Sequence, residues 1–562
     1  MSETKNPVPP CRPDGRLRAA HVAVLLFLGA FAIRAPLLDG LALWSDPIEY
    51  LNIARNVALG RGLVASIKWS FYVPHQPVVH SALGSRPVLF PILAAPLVAA
   101  FSHSSPFAMA AAVRTFNALL GSLAVALAYL LFRRLYSATV AVLAAALLAA
   151  YPGFLRCSTD PLTEPLCMVL TLVALLAYGR GKARWLFAAG AATGLAYLAR
   201  PAGVLLLPVL CGHAAVEALR TGSGKGLRLA AASLAKRVGP LLVGFALAAS
   251  PFWWATYRVY GSPFHSDLAC DYSVLTIQDV TWRGYGKRFP TPLGFVRGHF
   301  RDVAARAAAQ TADFTATLGD ALGPLAVFLL FVRRRHLGGV RGVTLAFAAL
   351  NYVVYCLSWT LWGDYRYMLP TYLFLAPLAL GVLDELALPS LRVSRARLSA
   401  LALVFALVGA SYAARDATLV RGRLQLRRTD SWQYAYRRAA DWLRSRQGYP
   451  NLVVASNNPW MLNLLADVPA VICPVLDKRE LMRPFLAEHN VEYVVIFGRG
   501  YNQREAELEG SRALLPIPLA EGCFRVWRRC DPARGPAGDA ASSRQRAETP
   551  RALPPRGRLG TS

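Results

Sequence analysis

Long apolar runs, not strand-like alternation, organise most of this chain. The first is Ala19–Ala35, preceded by Lys5, Arg12, Arg16 and Arg18. Its basic flank resembles a signal peptide, but no small-residue cleavage site follows and further apolar runs do, so it reads as an uncleaved first span. Later runs are Met109–Phe132, Ala138–Leu155, Leu162–Tyr178, Trp185–Ala199, Gly203–Val216, Val238–Tyr257, Leu322–Val332, Val343–Leu361, Tyr367–Leu383 and Leu398–Ala413. Several are shorter than the roughly 20 residues that cross the hydrocarbon, and the pattern predicts about eleven spans. Pro87–Phe101 is also apolar, but it is short and carries three prolines, which remove backbone donors that lipid cannot replace.

Charge fixes the expected orientation. If Pro87–Phe101 does not cross, the N-terminus and the basic loops Arg133/Arg134, Arg180/Lys182/Arg184, Arg220–Arg237, Arg333–Arg341 and Arg392–Arg397 all fall on one side. That side is the cytoplasm by the positive-inside rule. Pro87–Phe101 is then a re-entrant or interfacial segment on the outer face. Two long outer loops result, 36–106 and 258–321, and the clusters Asp46/Glu49, Asp160/Glu164 and Asp364/Arg366 share that face.

The pattern changes near Asp430. Ser431–Arg446 has helical spacing, Leu452–Ala455 and Ala470–Cys473 read as strands, and Pro459–Ala466 is a short helix. Asp477–His489 is another helix with Asp477 as N-cap. Val491–Phe497 is apolar nearly throughout, as in a buried parallel sheet, and Phe524–Trp527 can close it. The alternation β-α-β-α-β predicts a small α/β domain over 430–530. No GxGxxG or GxxxxGK[ST] accompanies it, so a lid or acceptor-binding role fits better than a nucleotide site. Residues 531–562, rich in Pro, Gly and Arg, and the cytoplasmic N-terminus 1–18 read as disordered. The expected fold class is mainly α: a polytopic transmembrane helical bundle over 19–415 with a small C-terminal extracytoplasmic α/β domain.

Composition agrees. Of 562 residues, 55% are hydrophobic and 17% charged, and the mean hydropathy is +0.37. Soluble domains carry about 25% charged residues, so an ordinary cytosolic enzyme, a coiled coil and a disordered chain are excluded. A net charge of +29 would suggest nucleic acid in a soluble protein, but here it lies in the loops of a membrane protein. Nine cysteines with no CxxC pair make no disulfide scaffold, although Cys473, Cys523 and Cys530 lie outside, where a disulfide can form.

Candidate chemistry concentrates just past the first span, in Trp44–Arg55 (WSDPIEYLNIAR). Pro47 suits the first turn of a helix with Asp46 as N-cap and Glu49 completing a capping box. Ile48, Leu51, Arg55 and Ala58 would lie on one face, along the membrane surface. A carboxylate fixed there can also serve as general base for an acceptor hydroxyl. His75 and His80, five apart, do not share a helix face and make a poor metal pair. Arg200 and Arg34 adjoin apolar runs and are expected at the outer interface, with phosphate contact an open alternative. Trp253, Trp254, Tyr257 and Tyr260 read as an interfacial aromatic belt.

Several short patterns in order carry a resemblance over about residues 19–530. They are DPIEYLNIARNVALGRG (46–62), RPVLFPILAAPL (86–97), STDPLTEPL (158–166), LARPAGVLLLP (198–208) and WGDYRYMLPTYLFLAPLAL (362–380). With this topology the chain resembles the GT-C membrane glycosyltransferases, in the bacterial protein-mannosyltransferase and aminoarabinose-transferase-like group (families 39 and 83). The resemblance implies transfer of a sugar from a polyprenyl-phosphate donor to an envelope acceptor: lipid A, a polysaccharide or a protein. It implies Asp46 as catalytic base, assisted by Glu49, and inversion at the anomeric carbon. Where the family often has Lys-Pro-Pro against the lipid phosphate, this chain has Arg86-Pro87-Val88, so one proline is missing and the cation is an arginine. Arg366, and Arg200 with it, would contact the donor phosphate. Asp160 and Glu164 match an acidic patch that binds either sugar hydroxyls or a divalent metal, and no other cofactor is implied. The partners are then the lipid-linked donor, membrane lipids and the acceptor, without nucleic acid, in a multi-pass protein of the bacterial inner membrane.

A rival reading is a transporter or flippase of lipid-linked sugars. It would be favoured by acidic residues deep within spans and by an internal repeat, and the sequence has neither. A third is an inactive scaffold whose outer domain binds a partner.

Overall fold

A computed structural model describes residues 13–38, 45–73, 75–101, 105–222, 227–360, 365–390, 394–428, 431–475, 479–498, 514–517 and 524–530. The tail 531–562 and residues 1–12 lie outside these, as do Trp44, Asp364, Asp477 and Cys523, whereas residues 13–18, expected to be disordered, begin the first helix.

In chain order the α-helices begin with α1 (Pro13–Arg34), α2 (Ser45–Ala58), α3 (Leu89–Ala100), α4 (Pro106–Leu135), α5 (Ala138–Ala150) and α6 (Pro152–Thr159). They continue with α7 (Glu164–Tyr178), α8 (Ala183–Ala199), α9 (Leu206–Gly222), α10 (Leu227–Tyr260), α11 (Pro292–Gly298) and α12 (Phe300–Leu322). The last are α13 (Gly339–Cys356), α14 (Leu369–Ser390), α15 (Ser394–Arg428), α16 (Ser431–Arg444), α17 (Pro459–Ala466) and α18 (Met482–Glu488). The strands are β1 (Val64–Ala65), β2 (Ile67–Lys68), β3 (His80–Ser81), β4 (Val453–Ser456), β5 (Ala470–Ile472), β6 (Val491–Phe497), β7 (Leu514–Ile517) and β8 (Phe524–Arg529).

The chain divides into two units. One takes in residues up to 65, 80–277 and 289–430; the other takes in 66–79, 278–288 and everything from 431. The second unit thus includes two stretches of the outer loops that local periodicity assigned to the first.

The helical unit is the membrane bundle. Among the described residues, eight helices are long and apolar enough to cross a bilayer, and the pair α5–α6, bent by 58°, makes a ninth. The sequence suggested about eleven. The difference lies in α7 and α8, of 15 and 17 residues. At about 1.5 Å per residue they fall short of a hydrocarbon core roughly 30 Å thick. Another span begins earlier than expected: the crossing placed at Leu322–Val332 runs from Phe300 to Phe331, so the second half of the 258–321 loop is helical. Helix α3, which contains most of Pro87–Phe101, has only 12 residues and is too short to cross.

Local chemistry explains the helix starts. Ser105 and Ser137 accept from the backbone amides of Ala108 and Val140, and Pro106 occupies the first turn, where its missing amide costs nothing. Helices α8 and α10 pack backbone to backbone: a Cβ on Gly190 would lie 2.0 Å from the carbonyl oxygen of Leu241. Arg34, expected at the interface, is instead fully buried. It donates to Ser158 Oγ at 2.7 Å and to the carbonyls of Ala30 and Ala149, tying α1 to α5 and α6. Trp254 and Tyr257 are exposed, as an interfacial belt requires, while Tyr260 stacks on His265 and donates to the Ser81 carbonyl.

The second unit is an α/β fold. Its sheet has the order β2-β5-β4-β6-β8-β7. Strands β2, β5, β4 and β6 run parallel, with α17 and α18 as crossovers; β8 and β7 close the sheet antiparallel. Phe71, Ile472, Phe485, Val494 and Trp527 form its core. Strands β4, β5, β6 and β8 fall within a residue or two of their sequence positions. Strand β2, two residues long and far away in sequence, left no periodicity to find, and β7 was also missed. Cys473 and Cys530 are buried in this unit, and Cys523 lies outside the described residues.

Candidate active site

The site forms within the helical unit around Asp46, on the first turn of α2. Asp46 does not act as a cap: its carboxylate receives Arg86 Nη2 at 3.0 Å on one oxygen and Arg366 Nη1 at 2.7 Å on the other. The same Arg86 nitrogen donates to Glu49 Oε2 at 2.6 Å. Glu49 lies one turn on from Asp46, so a single guanidinium bridges both carboxylates. Helix α2 is buried well beyond the single face that the amphipathic spacing suggested. Residues 47–54 are all buried, because α3 packs over it. Arg86 leads into α3, which brings it back to α2, and its guanidinium lies 5.9 Å from the Tyr50 ring centroid.

A second cation–carboxylate pair adjoins the first. Arg200 Nη1 donates to Glu164 Oε1, and Arg200 Nε donates to the Tyr355 hydroxyl at 3.3 Å. Arg200 sits in the extended break between α8 and the 3-10 turn Pro201–Leu205. That turn folds back tightly on α8: a Cβ on Gly203 would meet the Ala196 carbonyl at 2.5 Å, so only glycine fits. The ring of Tyr367 lies between two cations, with the guanidinium carbons of Arg200 and Arg366 each 5.1 Å from its centroid.

Electrostatics follow from this geometry. Burial alone would raise the Asp46 carboxyl; Arg86 and then Arg366 outweigh it and hold the group down at about 2, with Arg200 adding to the effect. Burial would weaken the charge of Arg86, but Glu49 and Asp46 keep it well above the usual range. Burial lifts the Tyr50 hydroxyl to about 12. The resting site is thus a charge-balanced set of Asp46, Glu49 and Glu164 against Arg86, Arg366 and Arg200.

Beside it lies a cavity of about 460 Å³, partly open to solvent. Glu164, Arg200, Arg366, Tyr355 and Tyr367 line it together with apolar side chains of α7, α13 and α14.

Asp46, Glu49, Arg86, Arg366, Arg200 and Glu164 therefore come together, whereas Asp160 is committed elsewhere. Its carboxylate takes Arg114 Nη2 at 3.1 Å, both side chains are buried, and Asn117 donates to the Asp160 and Cys157 carbonyls. This pair ties α4 to the end of α6. A divalent cation does not fit the expected acidic patch, because Asp160 and Glu164 each already have an arginine. Among the described residues no three His, Cys, Asp or Glu side chains converge as metal ligands. His75 is exposed and pairs with Glu488 at 3.2 Å, while His80 lies on β3. Sequence reasoning missed Tyr50, Tyr355 and Tyr367; only the aromatic content of DYRYM around Arg366 pointed towards any of them.

Comparison with known proteins agrees with this fold. Residues 87–254 match the family model described as dolichyl-phosphate-mannose-protein mannosyltransferase. The oligosaccharyltransferase AglB of Archaeoglobus fulgidus, solved with an inhibitory peptide and a dolichol-phosphate, superposes with a TM-score of 0.51. Identity is 16%, over 91% of this chain and 74% of AglB. ArnT of Cupriavidus metallidurans in its apo state gives a TM-score of 0.51 at 14% identity, covering 91% of this chain and 98% of ArnT. No curated protein sequence matches significantly. The chain has the fold of the GT-C membrane glycosyltransferases, a polytopic helical bundle followed by a C-terminal domain.

Proposed function

We propose that this protein is a glycosyltransferase that moves a sugar from a polyprenyl-phosphate donor to an envelope acceptor on the outer face of the bacterial inner membrane. In this reading the N-terminus is cytoplasmic, and the acceptor is lipid A, a polysaccharide or a protein. The observation that carries the reading is the carboxylate of Asp46 held between Arg86 and Arg366, beside Arg200 and an apolar cavity. The dolichol-phosphate in the AglB complex supports a lipid phosphate as the donor's carrier.

The chemistry needs a base on the acceptor side and cations on the phosphate side. Asp46 takes the proton of the acceptor hydroxyl as that oxygen attacks the anomeric carbon. The bond from that carbon to the phosphate oxygen breaks, its electron pair leaves with the polyprenyl phosphate, and the configuration inverts. Arg366, Arg200 and Arg86 bind the phosphate and offset its growing charge, with bidentate geometry open to each guanidinium. A carboxylate with a pKa near 2 is a weak base, so the timing of charge matters. When the donor phosphate draws Arg366 and Arg86 towards itself, Asp46 loses the cations that depress its pKa and its proton affinity rises. Glu49 stays paired with Arg86 during this exchange. No step requires a metal.

The direct test is binding of undecaprenyl phosphate to the full-length protein in nanodiscs. The wild type is expected to bind, and Arg366→Gln and Arg200→Gln to weaken binding at least tenfold while keeping the wild-type melting temperature within a few degrees. Wild-type protein that does not bind, or variants that bind as tightly as wild type, would overturn the assignment.

A further inference from the structure

Two acceptor atoms in the cavity wall have no partner among the described residues: Glu164 Oε2 and Asn351 Oδ1. Both residues line the cavity, and both are more than nine-tenths buried. Their neighbours fix which atoms are left over. Glu164 gives its other oxygen to Arg200. Asn351 donates through Nδ2 to the Tyr367 carbonyl at 3.1 Å and to Thr371 Oγ1 at 3.4 Å. Thr371 spends its own hydroxyl proton on the Ala348 carbonyl, so it can only accept from Asn351. Flipping the amide would set Oδ1 against a carbonyl oxygen. The orientation is therefore determined by the network, and Oδ1 is left for a ligand.

We infer that this cavity is the glycosyl subsite of the donor, and that Asn351, with Glu164, selects an uncharged, hydroxyl-bearing sugar. The inference rests on the glycosyltransferase reading above and adds to it the class of sugar and a specificity residue. An isoprenoid chain has no hydrogen-bond donor and would leave both oxygens desolvated and unpaired. Sugar hydroxyls satisfy both. Met168, Phe347 and Leu373 in the same wall offer apolar surface to the C–H face of a sugar ring and exclude water. An amino sugar carrying an ammonium would meet two cations, Arg200 and Arg366, against the single carboxylate of Glu164 in the same cavity wall. Arg200 and Arg366 at the cavity then hold the phosphate next to the sugar it carries.

The test compares lipid probes on the full-length protein in nanodiscs. The probes are bare undecaprenyl phosphate, the same lipid carrying mannose, glucose or arabinose, and the lipid carrying glucosamine. Wild type is expected to bind at least one neutral glycolipid more tightly than the bare phosphate, and more tightly than the glucosamine form. Asn351→Leu removes that preference, weakening the neutral glycolipid at least tenfold while bare phosphate changes less than twofold. Asn351→Gln, which keeps both the amide donor and an acceptor, retains part of the preference and controls for folding. The inference is overturned if wild type binds bare phosphate but prefers no neutral glycolipid, if it prefers the glucosamine form, or if Asn351→Leu weakens every lipid equally or none. In each of those cases the donor reading still stands. If wild type binds no lipid at all, that reading fails and this one with it.

Discussion

Asp46 concentrates the argument at the scale of single residues. Local sequence offers it two roles, helix cap and catalytic base, and packing brings two arginines to its oxygens. Its pKa of about 2, against an ordinary 3.8, makes the ion pairs part of the protein's stability. A depressed carboxylate contributes fully above its unfolded pKa and loses that contribution as pH falls through the folded value. The difference in melting temperature between wild type and Asp46→Asn is therefore expected to be flat above about pH 5 and to close as pH falls from 4 towards 2. Its plateau corresponds to about 2 kcal/mol. A gap that instead widened on acidification would contradict the ion-pair geometry. Arg86 and Arg366 were singled out in the sequence as cations of the site. Their grip on Asp46 was not legible, because it joins positions 40 and 320 residues apart. Asn351 was illegible for another reason: a lone Asn inside an apolar helix carries no spacing signal.

Among the secondary-structure elements, the buried Arg114–Asp160 pair separates architecture from chemistry. The pattern STDPLTEPL placed Asp160 and Glu164 in one acidic patch, and that expectation treated them alike. Helix α6 ends at Thr159 and α7 starts at Glu164, so the two carboxylates sit on either side of a break. Asp160 turns to Arg114 on α4, whereas Glu164 turns to Arg200. Removing one partner of a buried pair leaves an unpaired charge and costs about 3–5 kcal/mol. Arg114→Met is thus expected to lower the melting temperature in detergent sharply, and Arg114→Met with Asp160→Leu to recover much of the loss. Any variant that folds should bind undecaprenyl phosphate like wild type. A stable Arg114→Met protein that had lost lipid binding would instead place the pair in the site. Gly203 makes a similar element-scale prediction. Gly203→Val forces a side chain into the Ala196 carbonyl and displaces the turn that carries Arg200, weakening lipid binding at least tenfold at equal expression.

For the whole molecule, hydropathy and loop charge were enough to read a helical bundle followed by an α/β domain. The number of spans was harder to read because α7 and α8 are apolar along their length yet too short to cross alone. The α/β sheet was readable where strands alternate with helices after residue 430, and unreadable at β2, whose two residues enter the sheet beside β5 from the segment between α2 and α3. The orientation carries its own prediction. In a background lacking the nine native cysteines, Lys287→Cys should react with a membrane-impermeant maleimide in intact cells, and Arg334→Cys only after permeabilisation. The reverse pattern would turn the site towards the cytoplasm and remove it from envelope acceptors.

The central claim is that Asp46 is the base of a sugar transfer. Its most direct test is mass spectrometry of envelope lipids and glycans from cells deleted for the gene and complemented with wild type or Asp46→Asn at matched expression. The account predicts that deletion removes a defined sugar mass, that wild type restores it, and that Asp46→Asn leaves it missing, consistent with a general-base contribution of about 10²–10⁴ in rate. Full restoration by Asp46→Asn would contradict the account, reduce Asp46 to a partner of its arginines, and bring movement of lipid-linked sugars to the front.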